Sequence, residues 1–313
     1  MITGIIDIGT NTFNLLIEDE NGRVFYNDKI PVKIGKGGID KNTITEDAFQ
    51  RGIDALKRFR DICKEKQAHQ IFAFATSAVR SANNGAQFVS ETEAQTGIKI
   101  NVIDGDREAL FIYEGVKHAL TIGHEPVLIV DIGGGSTECI IANKTGVLWE
   151  KSYPLGVSRL LETFKPDDPI TPTQVKQIET HINSAFSDLW GNVEKHKPKT
   201  LIGSSGSFET IHDVCASRFG HDLLQPEQKN ARIYLHELDI VSKLLIKSST
   251  TQRVVIPGMV AMRADNIHLS AIQINLLLKN TGIKTLLLSM YALKEGVLFS
   301  MDKEHEPWLT SLL

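Results

Sequence analysis

One pattern occurs twice in this chain: DIGTNTFNLLIEDENGRVF from Asp7 and DIGGGSTECIIANKTGVLW from Asp131. The copies align without a gap at an offset of 124 residues, sharing the initial Asp-Ile-Gly, an isoleucine midway and a turn glycine (Gly22, Gly146). In each, an apolar run ends in aspartate, a loop of glycine and small hydroxyl residues follows, and a second apolar run leads to the glycine. Each copy therefore reads as a β-hairpin with its chemistry in the first turn. Two small-residue loops and two carboxylates suit the holding of phosphate and a divalent cation between two lobes. A duplicated α/β chain with a central cleft is the first expectation.

The chain's 313 residues leave room for two domains, and 42% hydrophobic with 23% charged residues fit a globular protein. No apolar run approaches the roughly 18 residues of a membrane span, and Asp7 interrupts the first apolar stretch too early for a signal peptide. The expected setting is the cytoplasm, with no membrane partner. A net charge of -4 argues against a general nucleic-acid binder but leaves room for an anionic substrate met by local cations. Candidates are Lys33, Lys36, Arg80, Arg159, Arg263 and the Lys195, Lys197, Lys199 group; the last reads as solvated surface. Cys63, Cys139 and Cys215 lack paired spacing and read as small apolar residues.

Periodicity predicts a third strand over 23–29, a loop at 35–38 and a helix capped by Thr45 with Phe49, Ile53, Leu56, Phe59 and Ile62 on its core face. A strand over 71–75, a helix over 85–96 ended by Gly97, a strand over 98–104 and a helix over 107–120 follow. Gly123 and Pro126 mark the boundary, giving domains 1–122 and 123–290, with a helix at about 291–313 packing back on the first. The second half has three strands over 127–153. One long helix then starts at Thr171-Pro172, its stripe formed by Val175, Ile178, Ile182, Phe186 and Leu189. A strand over 200–202 enters GSSGS (203–207) and a helix, which points backbone N–H groups at an anion. A helix over 238–247, a loop over 253–262, a helix over 265–279 and a strand over 284–289 complete the reading.

Seven elements carry a family resemblance: DIGTNTFNLL at 7, ATSAVRSANN at 75, GDREALFIYEGV at 105, DIGGGSTE at 131, GSSGS at 203, RAD at 263 and LKEGVL at 293. In this order, on an internal duplication, they resemble the exopolyphosphatase/guanosine pentaphosphate phosphatase (Ppx/GppA) family of the actin, Hsp70 and sugar kinase superfamily. The resemblance implies two actin-like (ribonuclease H-like) domains with mixed sheets flanked by helices and an interdomain cleft. It also implies Mg²⁺- or Mn²⁺-dependent removal of terminal phosphate and a homodimer. The chain stops just after LKEGVL and looks like a short-form member.

Phosphoryl transfer asks a protein for positioning and charge stabilisation. Gly9, Thr10, Asn11 and Thr12 offer backbone, hydroxyl and amide donors, and Gly133, Gly134, Gly135 and Ser136 let backbone approach phosphate closely. Asp7, Asp131 and Glu138 are hard oxygen ligands for the metal, with Asp131 and Glu138 also in the catalytic set. The family's water-activating glutamate falls on Glu108, at the start of the interdomain helix; Glu114 nearby reads as solvated. Arg80 resembles the phosphate-contacting arginine, with an ion pair to Glu108 or an aspartate as the competing role. Gly203, Ser204, Ser205 and Gly206 stand where superfamily kinases hold nucleotide, and their serines argue against tight nucleotide binding while leaving anion contact open. Arg263 matches RAD, although the apolar IPGMVAM before it departs from the family's usual segment. The leading expectation is release of orthophosphate from inorganic polyphosphate, with pppGpp 5′-phosphate hydrolysis at the same site beside it. A superfamily kinase and a non-catalytic binder of polyphosphate or (p)ppGpp stand as alternatives.

Overall fold

The computed structural model describes residues 1–225 and 227–301. It divides into two compact units, the first formed by 1–115 and rejoined at 293, the second by 116–292. The first unit holds β1 (Ile2–Ile8), β2 (Phe13–Asp19), β3 (Val24–Ile30), α1 (Glu46–Glu65), β4 (Gln70–Ala75), α2 (Ser77–Ser81), α3 (Gly85–Thr96) and β5 (Ile100–Val102). Next comes α4 (Gly105–Ala119), within which the division falls. Phe111 packs edge-on against Phe74 at 5.6 Å in the first unit, whereas the Ala119 carbonyl accepts a 2.6 Å bond from the Asn230 amide of the second. The division thus lies at 115/116, earlier than the glycine and proline at 123 and 126 suggest.

The second unit holds β6 (Val127–Ile132), β7 (Thr137–Asn143), β8 (Gly146–Tyr153), α5 (Val157–Phe164), α6 (Pro172–Ala185), α7 (Ser187–His196), β9 (Thr200–Ser204) and α8 (Gly206–Phe219). It continues through β10 (Asn230–Ile233), α9 (Leu235–Lys247), α10 (Thr250–Arg253), α11 (Ile267–Thr281) and β11 (Thr285–Ser289). Finally α12 (Leu293–Met301) packs on β1 of the first unit. The part of the expected C-terminal helix beyond 301 lies outside the described residues. No helix among the described residues is long and apolar enough to cross a membrane.

The duplication extends to topology. The first sheet runs β3-β2-β1-β4-β5 and the second β10-β11-β9-β6-β7-β8, so reading the second backwards gives the same order plus β10 at the edge. The hairpins antiparallel, β1 with β4 and β6 with β9 parallel, make two mixed sheets of the actin-like kind, each flanked by helices. Each unit has its own core. Phe13, Phe59 and Phe88 are fully enclosed in the first, and Phe186, Phe208 and Leu189 in the second. Each such side chain contributes roughly 1.5–3 kcal/mol by leaving water. All three cysteines are buried and unpaired by disulfide, as small apolar residues would be.

Local chemistry explains most element ends and several departures. Helix α3 stops where Gly97 takes a left-handed φ of 72°, and α6 begins with a full capping box in which Thr171 and Gln174 bond reciprocally. Thr45 occupies the cap of α1, but its hydroxyl makes no cap bond and donates to the Lys36 carbonyl instead. The long helix expected after Thr171 is two, because Phe186 leaves helical geometry with ψ 15° while the apolar stripe continues across the break. Strand β5 is shorter than 98–104, since the Ile98 N–H is taken by the Thr96 hydroxyl. The 253–262 loop contains the end of α10 and a 3₁₀ turn at Ala261–Arg263. Glu114 is buried at 8% exposure, not solvated, because α4 is covered on that side as well.

Helix α12 approaches α4 so closely that a Cβ at Gly296 would run into the Phe111 carbonyl. Backbone cannot yield as a flexible side chain can. We expect Gly296→Ala to destabilise the protein by about 1–3 kcal/mol, read as a lower urea midpoint at unchanged slope. An unchanged midpoint would mean that the two helices separate without loss.

Candidate active site

The two hairpin turns have the same internal geometry. Asp7 faces Asn14 and Ile8 faces Phe13 across the first; Asp131 faces Glu138 and Ile132 faces Thr137 across the second. Each turn is closed by one bond, Gly9 N–H to the Thr12 carbonyl and Gly133 N–H to the Ser136 carbonyl, both 3.1 Å. What differs is how the loop between is held.

In the first loop, the Thr10 carbonyl accepts from Gly35 N–H (3.3 Å) and the Asn11 carbonyl from Lys33 N–H (2.9 Å). In the second, the start of α5 lies against the glycines. The Gly133 carbonyl accepts from Val157 N–H (3.0 Å), and the Gly134 carbonyl from Ser158 N–H (2.9 Å) and Arg159 N–H (3.2 Å). The Gly135 carbonyl accepts from the Arg159 side chain, Nε at 3.1 Å. A trans peptide is planar with its C=O and N–H opposed, so fixing a carbonyl on one side aims the next N–H to the other. Three fixed carbonyls aim the N–H groups of Gly134, Gly135 and Ser136 away from α5, and none of these donates to a backbone acceptor among the described residues. Consecutive N–H groups left pointing one way are the arrangement that an anion-binding concavity would need. A Cβ at Gly156 would run into the Gly134–Gly135 peptide, so α5 reaches the loop only because that residue is glycine.

The carboxylates sit beside these loops. Across the second sheet, Ser152, Glu138, Asp131 and Ser204 are direct neighbours on adjacent strands and share one face. Asp131 and Glu138 are buried, 7% and 1% exposed, and Glu138 Oε1 accepts from Ser152 Oγ at 2.7 Å. The equivalent row of the first sheet is Lys29, Asn14, Asp7 and Phe74. There Asn14 Nδ2 donates to Asp7 Oδ2 at 2.8 Å, so an amide serves where the second unit has another carboxylate. Two buried carboxylates on one face repel unless a proton or cation lies between them. The donor set of Asp131 and Glu138 therefore fits a hard divalent cation. No cluster of three or more His, Cys, Asp or Glu side chains forms a cage among the described residues. Mg²⁺ has no need of one, since waters and substrate oxygens complete its shell.

Glu108 lies in the first turn of α4, buried, and its Oε2 accepts from Arg80 at 2.8 Å. The same Arg80 nitrogen donates to the Ile103 carbonyl, also at 2.8 Å. The ion pair weighed in the sequence is thus present. Among the described residues, the Nε and Nη2 groups of Arg80 make no hydrogen bond, which leaves the arginine donors for an anion while it holds the carboxylate.

The GSSGS segment is engaged internally. Gly203 packs against the Phe208 ring, Ser204 Oγ donates to the Tyr291 carbonyl (3.4 Å), and both Ser205 and Ser207 donate to the Ile132 carbonyl at 3.1 and 3.2 Å. These bonds fix the strand end that carries Gly133. The Arg263 guanidinium lies against Gly206 and donates to Thr210 Oγ1 at 2.9 Å; burial lowers its pKa, against the pull of Glu209. Sequence reading had no place for α5 or Ser152. The first is short and lies between a glycine and a proline segment, and the second emerges only once the strand register sets it opposite Glu138.

Burial pushes the Asp7 carboxyl up to about 6, opposed by the Asn14 amide and Lys294 and assisted by Glu295. A carboxyl with a raised folded pKa costs stability once ionised, so its contribution falls as pH rises from near 4 through 6. Asp7→Asn should abolish that slope in chelator-treated protein and gain about 1–3 kcal/mol at pH 7, with no difference below pH ~3.5. Denaturant titrations across this range check it, and an unchanged slope would place the titration on another carboxyl.

Comparison with known proteins shows what the whole chain is similar to. Residues 18–305 match the Ppx/GppA phosphatase family. An exopolyphosphatase from Cytophaga hutchinsonii superposes with a TM-score of 0.93 at 35% identity, over 96% of this chain and 97% of that one. A Ppx/GppA family member from Aquifex aeolicus shares the fold, with a TM-score of 0.78 at 23% identity over 98% and 99% of the two chains. An uncharacterized protein of Streptomyces coelicolor is 26% identical across 98% of this chain and 92% of its own length.

Proposed function

The chain belongs to the Ppx/GppA phosphatase family, and on that premise we propose that it is an exopolyphosphatase releasing orthophosphate from the ends of inorganic polyphosphate. The observation that carries the reading is the pair of tethered loops, each beside a strand-end carboxylate and the second with three backbone N–H groups turned away from its tether, in one chain with a buried, arginine-held glutamate. Two held loops of small residues suit a substrate that is phosphate along its length. The internally bonded GSSGS segment favours a polymer over a nucleotide, since its hydroxyls are spent on carbonyls and Phe208 covers Gly203. The 35% identical Cytophaga protein, itself an exopolyphosphatase, supports the same choice.

In this reading Glu108 takes a proton from the water whose oxygen attacks the terminal phosphorus. The anhydride oxygen leaves with the shortened chain, and the released phosphate carries the attacking oxygen. Arg80 holds Glu108 in place and offers its remaining donors to phosphate oxygens. Thr10, Asn11 and Thr12 bind through hydroxyl, amide and backbone groups, and Gly134, Gly135 and Ser136 through backbone alone. Asp131 and Glu138 would hold Mg²⁺ or Mn²⁺, with Asp7 the third carboxylate of the proposed set; when bound, the metal neutralises charge on the phosphate oxygens. Arg263, with Gly203 to Gly206, is assigned a supporting contact to the anion. The same reading carries a cytoplasmic setting and a homodimer, as the family resemblance implies.

Purified protein with Mg²⁺ should release orthophosphate from long-chain polyphosphate faster than from pppGpp, and much faster than from ATP. Faster release from pppGpp would make this the pppGpp 5′-phosphohydrolase of the same site, and none from any of the three would refute hydrolysis. Glu108→Gln keeps the shape but removes the base, so turnover should fall about 10²–10⁴-fold with polyphosphate binding retained. Undiminished turnover would show that another carboxylate activates the water.

A further inference from the structure

Arg159 stands in an electrostatically unfavourable place. Helix α5 starts at Val157 with Gly156 as its cap, so Arg159 is the third helical residue. There a cation meets the positive end of the helix dipole, at a penalty of roughly 0.3–1 kcal/mol. A residue that breaks a local rule needs a compensating role.

The duplication singles out one contact of Arg159 that such a role can rest on. Asn11 and Gly135 are equivalent positions, and each has its carbonyl held from behind, but by different means. In the first unit, Lys33 takes a left-handed φ of 48°, and the turn brings both its own N–H and that of Gly35 onto the loop. Backbone alone does the work there. In the second unit the crossing segment is a helix start, whose N–H groups from Val157 to Arg159 end on Gly133 and Gly134. The next carbonyl, Gly135, is reached by the Arg159 side chain at 3.1 Å. The hold made by backbone in one copy is made by a replaceable side chain in the other.

We infer that Arg159 is a positioning residue for the phosphatase reaction: it anchors the Gly135 carbonyl and thereby aims the Ser136 N–H at the phosphoryl group. The inference rests on the reading above for the reaction, while the tether itself can be observed without turnover. Because peptide planarity links the two groups, losing the anchor lets the Gly135–Ser136 peptide rotate between three flexible glycines and Thr137. A donor that must be reoriented during reaction is worth less than one already aimed. The loss therefore falls on the chemical step more than on the binding of a long polymer held elsewhere.

Arg159→Met retains the aliphatic stem without a donor, and Arg159→Lys retains one donor of similar reach. In Arg159→Met, kcat on polyphosphate should fall about tenfold or more with KM within about threefold of wild type, and Arg159→Lys should recover kcat to within about threefold. Amide hydrogen exchange over 131–138 should accelerate in Arg159→Met and return toward wild type in Arg159→Lys, at melting temperatures within about 2 °C. Unchanged exchange in Arg159→Met would overturn the tether whatever the activity. Wild-type kcat in that variant, a loss confined to KM, or a failure of lysine to restore kcat would overturn the positioning role. A wild-type enzyme that releases no phosphate would instead refute the parent reading, and exchange would still decide the tether.

Discussion

A backbone N–H can be aimed at a ligand only by fixing the carbonyl on the far side of the same peptide. Everything near the two hairpin loops serves that constraint. The turn at 32–35 exists to present two N–H groups to Thr10 and Asn11, and α5 presents its first N–H groups to Gly133 and Gly134. Behind the second loop, Ser205 and Ser207 bind the Ile132 carbonyl, so the strand entering the loop is fixed too. The glycines contribute conformational permissiveness, and their neighbours remove it again in one chosen arrangement.

The carboxylates obey a related logic of register. A cross-strand pair places its side chains on one face, so the residue opposite the strand-end aspartate decides what that aspartate can do. With Asn14 opposite, Asp7 is served by an amide and its charge is disfavoured mainly by burial. With Glu138 opposite, Asp131 belongs to a pair of carboxylates, a donor set that would suit a hard cation. A single difference between aligned copies, amide against carboxylate, gives the two hairpins different donor sets at the same position.

How much of this was legible in the sequence follows from the range of the interactions involved. The ungapped repeat foretold two hairpins, and Gly97 and Thr171-Pro172 foretold helix ends, because turns and caps are local chemistry. Glu114 is buried although a lone glutamate in an amphipathic pattern reads as solvated, because burial is set by tertiary packing that periodicity does not show. The break at Phe186 escaped because a stripe of buried residues can run unbroken over two helices that meet at a small kink. The Arg80 to Glu108 bond was foreseen only as one of two roles, and the structure shows that one arginine has donors for both. The latch from α5 was invisible because its meaning lies in carbonyls 24 residues earlier along the chain.

Duplication also constrains how such a site can diverge. Two copies that began alike must each keep the loop carbonyls fixed, yet neither requires a particular element for it. A tight turn spends only backbone and leaves side chains such as those of Thr10, Asn11 and Thr12 to vary with substrate. A helix start gives a stiffer support, but its N–H groups fan out along one axis and reach only two consecutive carbonyls here. Extending the hold to the third required a long side chain with a donor near its end, which Arg159 supplies. The bare glycine loop and the arginine at the helix start are thus one arrangement: a loop without side chains can come close to a ligand, and in the proposed role it relies on Arg159 to stay aimed.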